Sequence, residues 1–569
     1  MGTATDPVIS RRVSRRSVLA GGIGAAVFAA CGGGSKAARP TATAASMATT
    51  PATSTRPAAA ATPAPRRGGG IARLVAPGTL VFDTFDALRS GEPALAEILG
   101  RTHSRVVEWA SYDPLRIGGD LAERWEQADP ETWLFHLNPR ARWQPRPPVE
   151  GRAVTAADVA AHLERAGALA RAARLPAAQH QAAALRIRSA VATDVRTVRV
   201  QTDGPDPFLL HTLAARLAFV QAPEAVEAFA GSWHLQRPAE VAGSGPFIFQ
   251  GPNERTSAGF TAFLDGHRPP DLDGIELEVP GSSRELLLVG ASDEALLRDR
   301  RDAPALRARS GLTEFTRLEE SPVITTLSTS APPWNNPELV RALSGALHRG
   351  WLGRELFGGR ALPGSPIDPV FGAPFALAAT DLARFPGYGP SPDGDAADAR
   401  RRWDAAGGAA LGTVRIDFPS VFDPAYGASA VVTARLSAVL GNRFVAAVEP
   451  YTTIGERASA GEYGNARAAF WFGWGPPFDD PDPSRLLAAT YAPGLPALAK
   501  RFDELLNEFD SDVRARSARE LALAALAEGS GVLSWLVQRQ ELFRAAGLRR
   551  AEPSPFWLQH RDYEARLTT

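Results

Sequence analysis

Lysine is nearly missing from this 569-residue chain: of 62 basic residues, only Lys36 and Lys500 are lysines. A phosphate-binding loop of the form G-x-x-x-x-G-K-[ST] needs a lysine in frame, and neither stands in one, which argues against ATP hydrolysis; Schiff-base chemistry would rest on Lys500 alone. Cysteine is rarer still. Cys31 is the sole one, so the mature body has neither a disulfide nor a thiolate metal cluster and depends on core burial for stability. An excess of either charge is also lacking, since 62 basic residues balance 62 acidic ones. With no net field, binding to nucleic acid or to an anionic bilayer surface is not expected. Nine histidines are scattered, with no pair at the i, i+4 spacing that puts two ligands on one helix face, so no metal site is expected. There is no G-x-S-x-G elbow and no acid–base pair that the sequence singles out, and the chain reads as a non-enzyme without a cofactor.

What is present begins with an address. Arg15 and Arg16 stand in Ser14-Arg15-Arg16-Ser17-Val18-Leu19, followed by an apolar run to Ala30 and then Cys31. Charge, an apolar stretch and a small-residue cleavage point describe a signal peptide over 1–31. The apolar run is roughly half of the ~20 residues that span a bilayer. Phe28-Ala29-Ala30-Cys31 resembles a bacterial lipobox, with Phe where Leu is usual, and the paired arginines resemble a twin-arginine export signal. Residues 32–69 are Ala, Thr, Pro, Ser and Gly with almost no large apolar side chain, a composition that cannot bury enough surface to order itself. This segment is expected to be a disordered tether reaching about 30–35 Å. Two acyl chains on Cys31 would make a durable anchor.

A body of this length exceeds one ordinary core, so two or three packed units are expected. Strand-like alternation marks 133–137, 195–200, 275–279 and 414–418, interleaved with helical stretches, which points to an α/β fold. Thr155 is placed to cap a helix, with Asp158 in its first turn. Asn336-Pro337-Glu338 is expected to open a second, and a third is expected from Asp395 to Trp403, ending at Gly407-Gly408.

Several segments then resemble, in order, one family. Leu121-Ala122-Glu123-Arg124-Trp125-Glu126, Trp133-Leu134-Phe135-His136-Leu137, Ala141-Arg142-Trp143 and Val154-Thr155-Ala156-Ala157-Asp158-Val159 are similar to the signature of the family 5 extracellular solute-binding proteins. These are the oligopeptide, dipeptide and nickel-binding components of ABC importers. Gly243-Ser244-Gly245-Pro246-Phe247, the stretch Arg341 to Arg349, Phe385-Pro386-Gly387-Tyr388 and Trp471-Phe472-Gly473-Trp474 followed by Asp480-Pro481-Asp482-Pro483 continue the match. The resemblance implies a two-lobe, type II periplasmic-binding-protein-like fold of the large kind, with a hinged cleft and a discontinuous first lobe. That lobe would take 70–325, with a subdomain near 96–190, and 534–569; the second would be 326–533. It also implies a monomer outside the cytoplasmic membrane, anchored there by lipid alone, whose partners are a small solute or peptide and ABC permease subunits.

Within that frame the ligand contacts expected are Trp474, Phe478, Asp479, Pro477, Ser328 and Trp334. Relatives that bind peptides carry an aspartate for the ligand's α-ammonium in the W-x-x-D-Y motif, where this chain has Pro477. Either Asp479 reaches that charge from a shifted loop, or the ligand has no free amine. Gly243-Ser244-Gly245 is either a tight turn or a cradle of amides for an anion. Two other readings stay open: a binder of metal chelates or other non-peptide solutes, and a degenerate receptor kept for sensing or chaperoning.

Overall fold

The computed structural model describes residues 69–567 apart from short breaks, the longest at 176–185, 230–236, 455–469 and 552–560. Two four-stranded sheets occupy the first half. In one, Ile71–Val75 runs parallel to Gly274–Glu278, which pairs antiparallel with Ala258–Ala262, and Phe247–Gly251 closes the far edge. The other has the order Ala122–Asp129, Thr132–Leu137, Thr197–Thr202, Ile187–Ala192, all antiparallel. Strand formation was expected two residues earlier, at Val195. The Asp194 carboxylate instead accepts from the amides of Arg196 and Thr197, a local turn that delays pairing until Thr197.

The helix Ala156–Arg171 covers this second sheet. Thr155 caps it as expected: its hydroxyl accepts from the Asp158 amide while the Asp158 carboxylate accepts from the Thr155 amide at 2.8 Å. This reciprocal box satisfies two free donors of the first turn. Burial works to raise the Asp158 pKa, but the Arg152 guanidinium, 2.7 Å from each carboxylate oxygen, outweighs it and holds the carboxyl below its usual range.

An eight-stranded sheet dominates the second half, in the order Glu294–Leu297, Val532–Ala545, Val323–Leu327, Phe470–Trp474, Thr413–Pro419, Arg443–Glu449, with Leu312–Leu318 and Ala361–Pro363 also paired to the long strand. That long strand, 14 residues from Val532 to Ala545, changes partners midway. Val532–Leu536 pairs with Val323–Thr326, whereas Arg539–Ala545 pairs with Leu312–Leu318.

The helix Pro337–Leu347 starts as its sequence implies, with the Asn336 side chain accepting from the Glu338 amide at 3.0 Å and proline in the first turn. The third helix expected from the sequence departs from expectation at its start. It runs Pro392–Ala405 and is capped by Ser391, whose hydroxyl accepts from the Gly394 amide at 3.1 Å. Asp395 is drawn away from capping because one carboxylate oxygen accepts from the amides of Gly387 and Gly389 at 2.9 and 3.1 Å. Its end does fall at Gly407, which takes the left-handed conformation at φ 81°, where a side chain would be strained.

Two large apolar clusters result. One is confined to Val323–Leu536 and is built around Trp403 and Trp535, both fully buried. The other runs from Ala72 through the two smaller sheets and on to Phe478, Leu487, Tyr491 and Ala525. No described helix is long and apolar enough to cross a membrane.

Candidate functional site

In the large sheet, Thr413–Pro419 runs parallel to both Arg443–Glu449 and Phe470–Trp474. The carboxyl ends of these three strands therefore open on one side, the place where open α/β sheets leave a crevice for ligands. Phe470–Trp474 is buried until its last residue. Trp474, half-buried, stands edge-on to Phe422 with ring centres 5.2 Å apart and to Tyr426 at 6.0 Å. The Tyr426 hydroxyl donates to Gln538 Oε1 at 2.9 Å, tying this aromatic corner to the long strand.

Beyond Trp474 the chain is fastened to the strand entering the sheet. The Gly475 amide donates to the Pro322 carbonyl and the Phe478 amide to the Glu320 carbonyl, each at 2.7 Å. Phe478, expected beside the ligand, is fully buried with its ring edge-on to Phe371 at 5.2 Å. Trp334 sits in the core against Phe470 at 5.7 Å and Trp403 at 6.5 Å. Ser328 is half-buried just past Val323–Leu327. Pro477 and Asp479 lie outside the described residues, as do Arg15, Arg16 and Cys31.

Asp480 is engaged within the protein. One carboxylate oxygen lies 2.9 Å from His211 Nδ1, and the other accepts from Arg485 Nη2 at 2.8 Å. Burial works to raise its pKa, but the neighbouring His211 and Arg485 charges and their hydrogen bonds overturn that and hold it well below the carboxylate range. Asp482 is likewise bound to Arg514 Nε at 2.7 Å and accepts from the Ser484 amide. His211, Thr212, Arg485 and Arg514 carry no local motif, and sequence reasoning did not select them: His211 and Asp480 are 269 positions apart.

Gly243-Ser244-Gly245 is a turn packed against the helix end at Thr102, not an open cradle. The Gly245 amide donates to the Thr102 carbonyl at 2.8 Å, the Gly243 amide to Gln144 Oε1 at 3.3 Å, and a Cβ on Gly243 would overlap the Thr102 carbonyl oxygen. Among the described residues, no group of three or more His, Cys, Asp or Glu side chains is placed to hold a metal ion.

Residues 116–493 match the bacterial extracellular solute-binding proteins, family 5 Middle. The chain belongs to this family. It is an extracytoplasmic solute-binding protein of the class that feeds peptides or related solutes to ABC importers. Solved structures share the fold at low identity. The periplasmic binding protein DppA from Helicobacter pylori, in complex with the peptide STSA, has a TM-score of 0.68 at 16% identity, covering 89% of this chain and 99% of that one. A dipeptide-binding protein from Pseudoalteromonas sp. SM9913, in complex with Met-Leu, gives 0.67 at 16% identity over 87% and 100%. AgaA from A. tumefacien R10, in complex with agropinic acid, gives 0.65 at 17% identity over 88% and 99%. The family member therefore has the two-lobe type II binding-protein fold that its motifs implied. No curated protein matches it in sequence.

Proposed function

We propose that this solute-binding protein is a lipoprotein, anchored through Cys31 on the outer side of the cytoplasmic membrane, which captures a peptide or peptide-like solute by closure of two lobes and presents it to an ABC permease. The reading rests on family membership over 116–493, together with the crevice at the carboxyl ends of three parallel strands where Trp474 ends the buried run. Lobes at 70–325 with 534–569 and at 326–533 are supported by the partner change along Val532–Ala545. The signal at 1–31 and the tether at 32–69 complete the arrangement, and export runs through Arg15 and Arg16.

Trp474 offers the ligand an aromatic face, whereas Ser328, past Leu327 opposite Phe470, stands at the other end of that antiparallel strand pair. A second reading, a solute without a free amine, is favoured by Pro477 in place of the aspartate that peptide-binding relatives use for an ammonium. Native mass spectrometry of the purified protein, followed by denaturing extraction and identification of the released solute, tests both. Release of a peptide with a free N-terminus supports the first; an N-blocked peptide, an opine-like acid or a metal chelate supports the second. Absence of any solute, with no thermal shift across peptides and chelates at saturating concentration, would overturn solute capture, because a ligand at 100 times its Kd should stabilise the fold by about 2.7 kcal/mol.

A further inference from the structure

Opposite Asp480 and the start of the helix Ser484–Tyr491 lies the helix Leu209–Leu213, and between them runs a seam of a particular kind. Among the described residues, backbone pairing between 70–325 and 326–533 lies along the strands that cross between the lobes and at Gly475 and Phe478, whose amides donate to Pro322 and Glu320; none joins 69–278 to 323–530. At that second junction the polar contacts are made by side chains, beside the apolar packing of Phe478 and Leu487 in the first cluster. His211 Nδ1 meets Asp480 at 2.9 Å, and Arg485 donates to Thr212 Oγ1 at 2.6 Å while holding the other Asp480 oxygen at 2.8 Å. The Phe208 ring sits between two guanidinium groups, 5.0 Å from that of Arg485 and 4.9 Å from that of Arg514. Farther out, Arg186 Nη1 lies 3.4 Å from Asn507 Oδ1. Behind His211 the Trp109 ring packs edge-on at 4.9 Å and fixes the imidazole plane.

We infer that His211, Thr212 and Phe208 form one half of an interlobe latch, and that Asp480, Arg485 and Arg514 form the other. The inference rests on the lobe-closure reading above and adds to it that the protein's own side chains hold part of the closed state. Each half is preassembled. Asp482 and the Glu508 carbonyl position Arg514, and Asp480 pairs with Arg485 on its own side of the seam through the oxygen that His211 does not touch. The loop therefore keeps its internal charges matched when the seam parts, so opening exposes no unpaired acid. A contact made only by side chains can be broken without unravelling a strand or helix, as a hinged receptor requires. Because apparent affinity scales with the fraction of binding-competent protein, the latch sets affinity for every ligand by one common factor. His211, Thr212 and Arg485 act as positioning residues.

The test is a spin-label distance measurement on the full-length chain with Cys31→Ser and labels at Val195→Cys and Phe509→Cys, both solvent-exposed positions on opposite sides of the seam. The double variant His211→Ala/Thr212→Val removes the first half of the latch and leaves the Asp480–Arg485 and Asp482–Arg514 pairs intact. In ligand-free protein its distance distribution is expected to shift to longer values than that of the unaltered latch. Dissociation of a mixed di- to pentapeptide pool is expected to speed up by about tenfold, the order of one competent-fraction decade. Asp480→Asn, which weakens the other half, should shift the distribution in the same direction. If wild type and both variants open and close alike as the peptide pool is added, the latch is wrong and closure stands. If every sample shows one fixed distance with and without the pool although the pool raises the thermal unfolding midpoint, lobe closure itself fails and the latch with it.

Discussion

Replacing Asp368 by asparagine should remove a loss of stability that accompanies rising pH between about 4 and 7. Asp368 is fully buried, and its Oδ1 accepts from the Ser365 amide at 3.0 Å and from the Ser534 hydroxyl at 2.8 Å. Burial pushes its pKa up to about 7 from 3.8, against the opposing pull of those two hydrogen bonds and of Arg349. The arginine cannot pull harder because it is itself occupied. Its Nε donates to the carbonyls of Gly364 and Ser534 at 3.0 and 2.9 Å, its Nη1 to Ser344 at 3.0 Å, and the group lies 3.7 Å from the Tyr388 ring centre. The folded carboxyl thus keeps its proton at pH values where the unfolded chain has already lost it. Its contribution is full below pH 3.8 and is lost as the pH rises through 7. Each pH unit well inside that window is worth about 1.4 kcal/mol and the slope fades near pH 7, so about 2 kcal/mol disappears between pH 5 and pH 7. Asparagine keeps the accepting oxygen and the shape but cannot titrate. Urea unfolding followed by tryptophan fluorescence at pH 5, 6, 7 and 8 would measure this. The difference between wild type and Asp368→Asn isolates the one group, since all others titrate in both proteins. Parallel pH profiles would refute the reasoning.

Three other substitutions have outcomes set by burial, capping and backbone conformation. Burial lowers the pKa of His162 to about 4, and its Nδ1 accepts from the Gln221 amide; its contribution is full above pH 6.5 and is lost as the pH falls toward 4, so His162→Gln should move the acid-unfolding midpoint, read by circular dichroism, to lower pH. Thr155→Ala breaks the capping box over Ala156–Arg171 and should cost about 1 kcal/mol in urea unfolding. Gly387 has φ 86°, and a Cβ there would overlap the Ser344 carbonyl oxygen and crowd Arg349; Gly387→Ala should cost on the order of 2–4 kcal/mol by the same measurement.

The elements legible from the sequence are those whose signals are local. The Thr155 and Asn336 caps, the alternation in 133–137 and 414–418 and the glycine stop at Gly407 each depend on residues within a turn or two of one another, and the structure shows each in place. Where a distant group competes, the local signal misleads. Asp395 reads as a helix start, but the amides of Gly387 and Gly389 claim its carboxylate and leave the cap to Ser391. Asp480 reads only as part of a family motif, but in the fold His211 and Arg485 each bond one of its carboxylate oxygens, and His211 lies 269 positions away.

The sequence by itself determined the family, the alternation of helices and strands, and the exclusions that follow from two lysines and one cysteine, because composition and short-range motifs survive without a three-dimensional context. Only the tertiary structure decided which strands neighbour one another, that Phe478 is buried against Phe371, and which side chains meet Asp480. Those outcomes depend on burial and on charges brought together across the chain, and no local spacing encodes either.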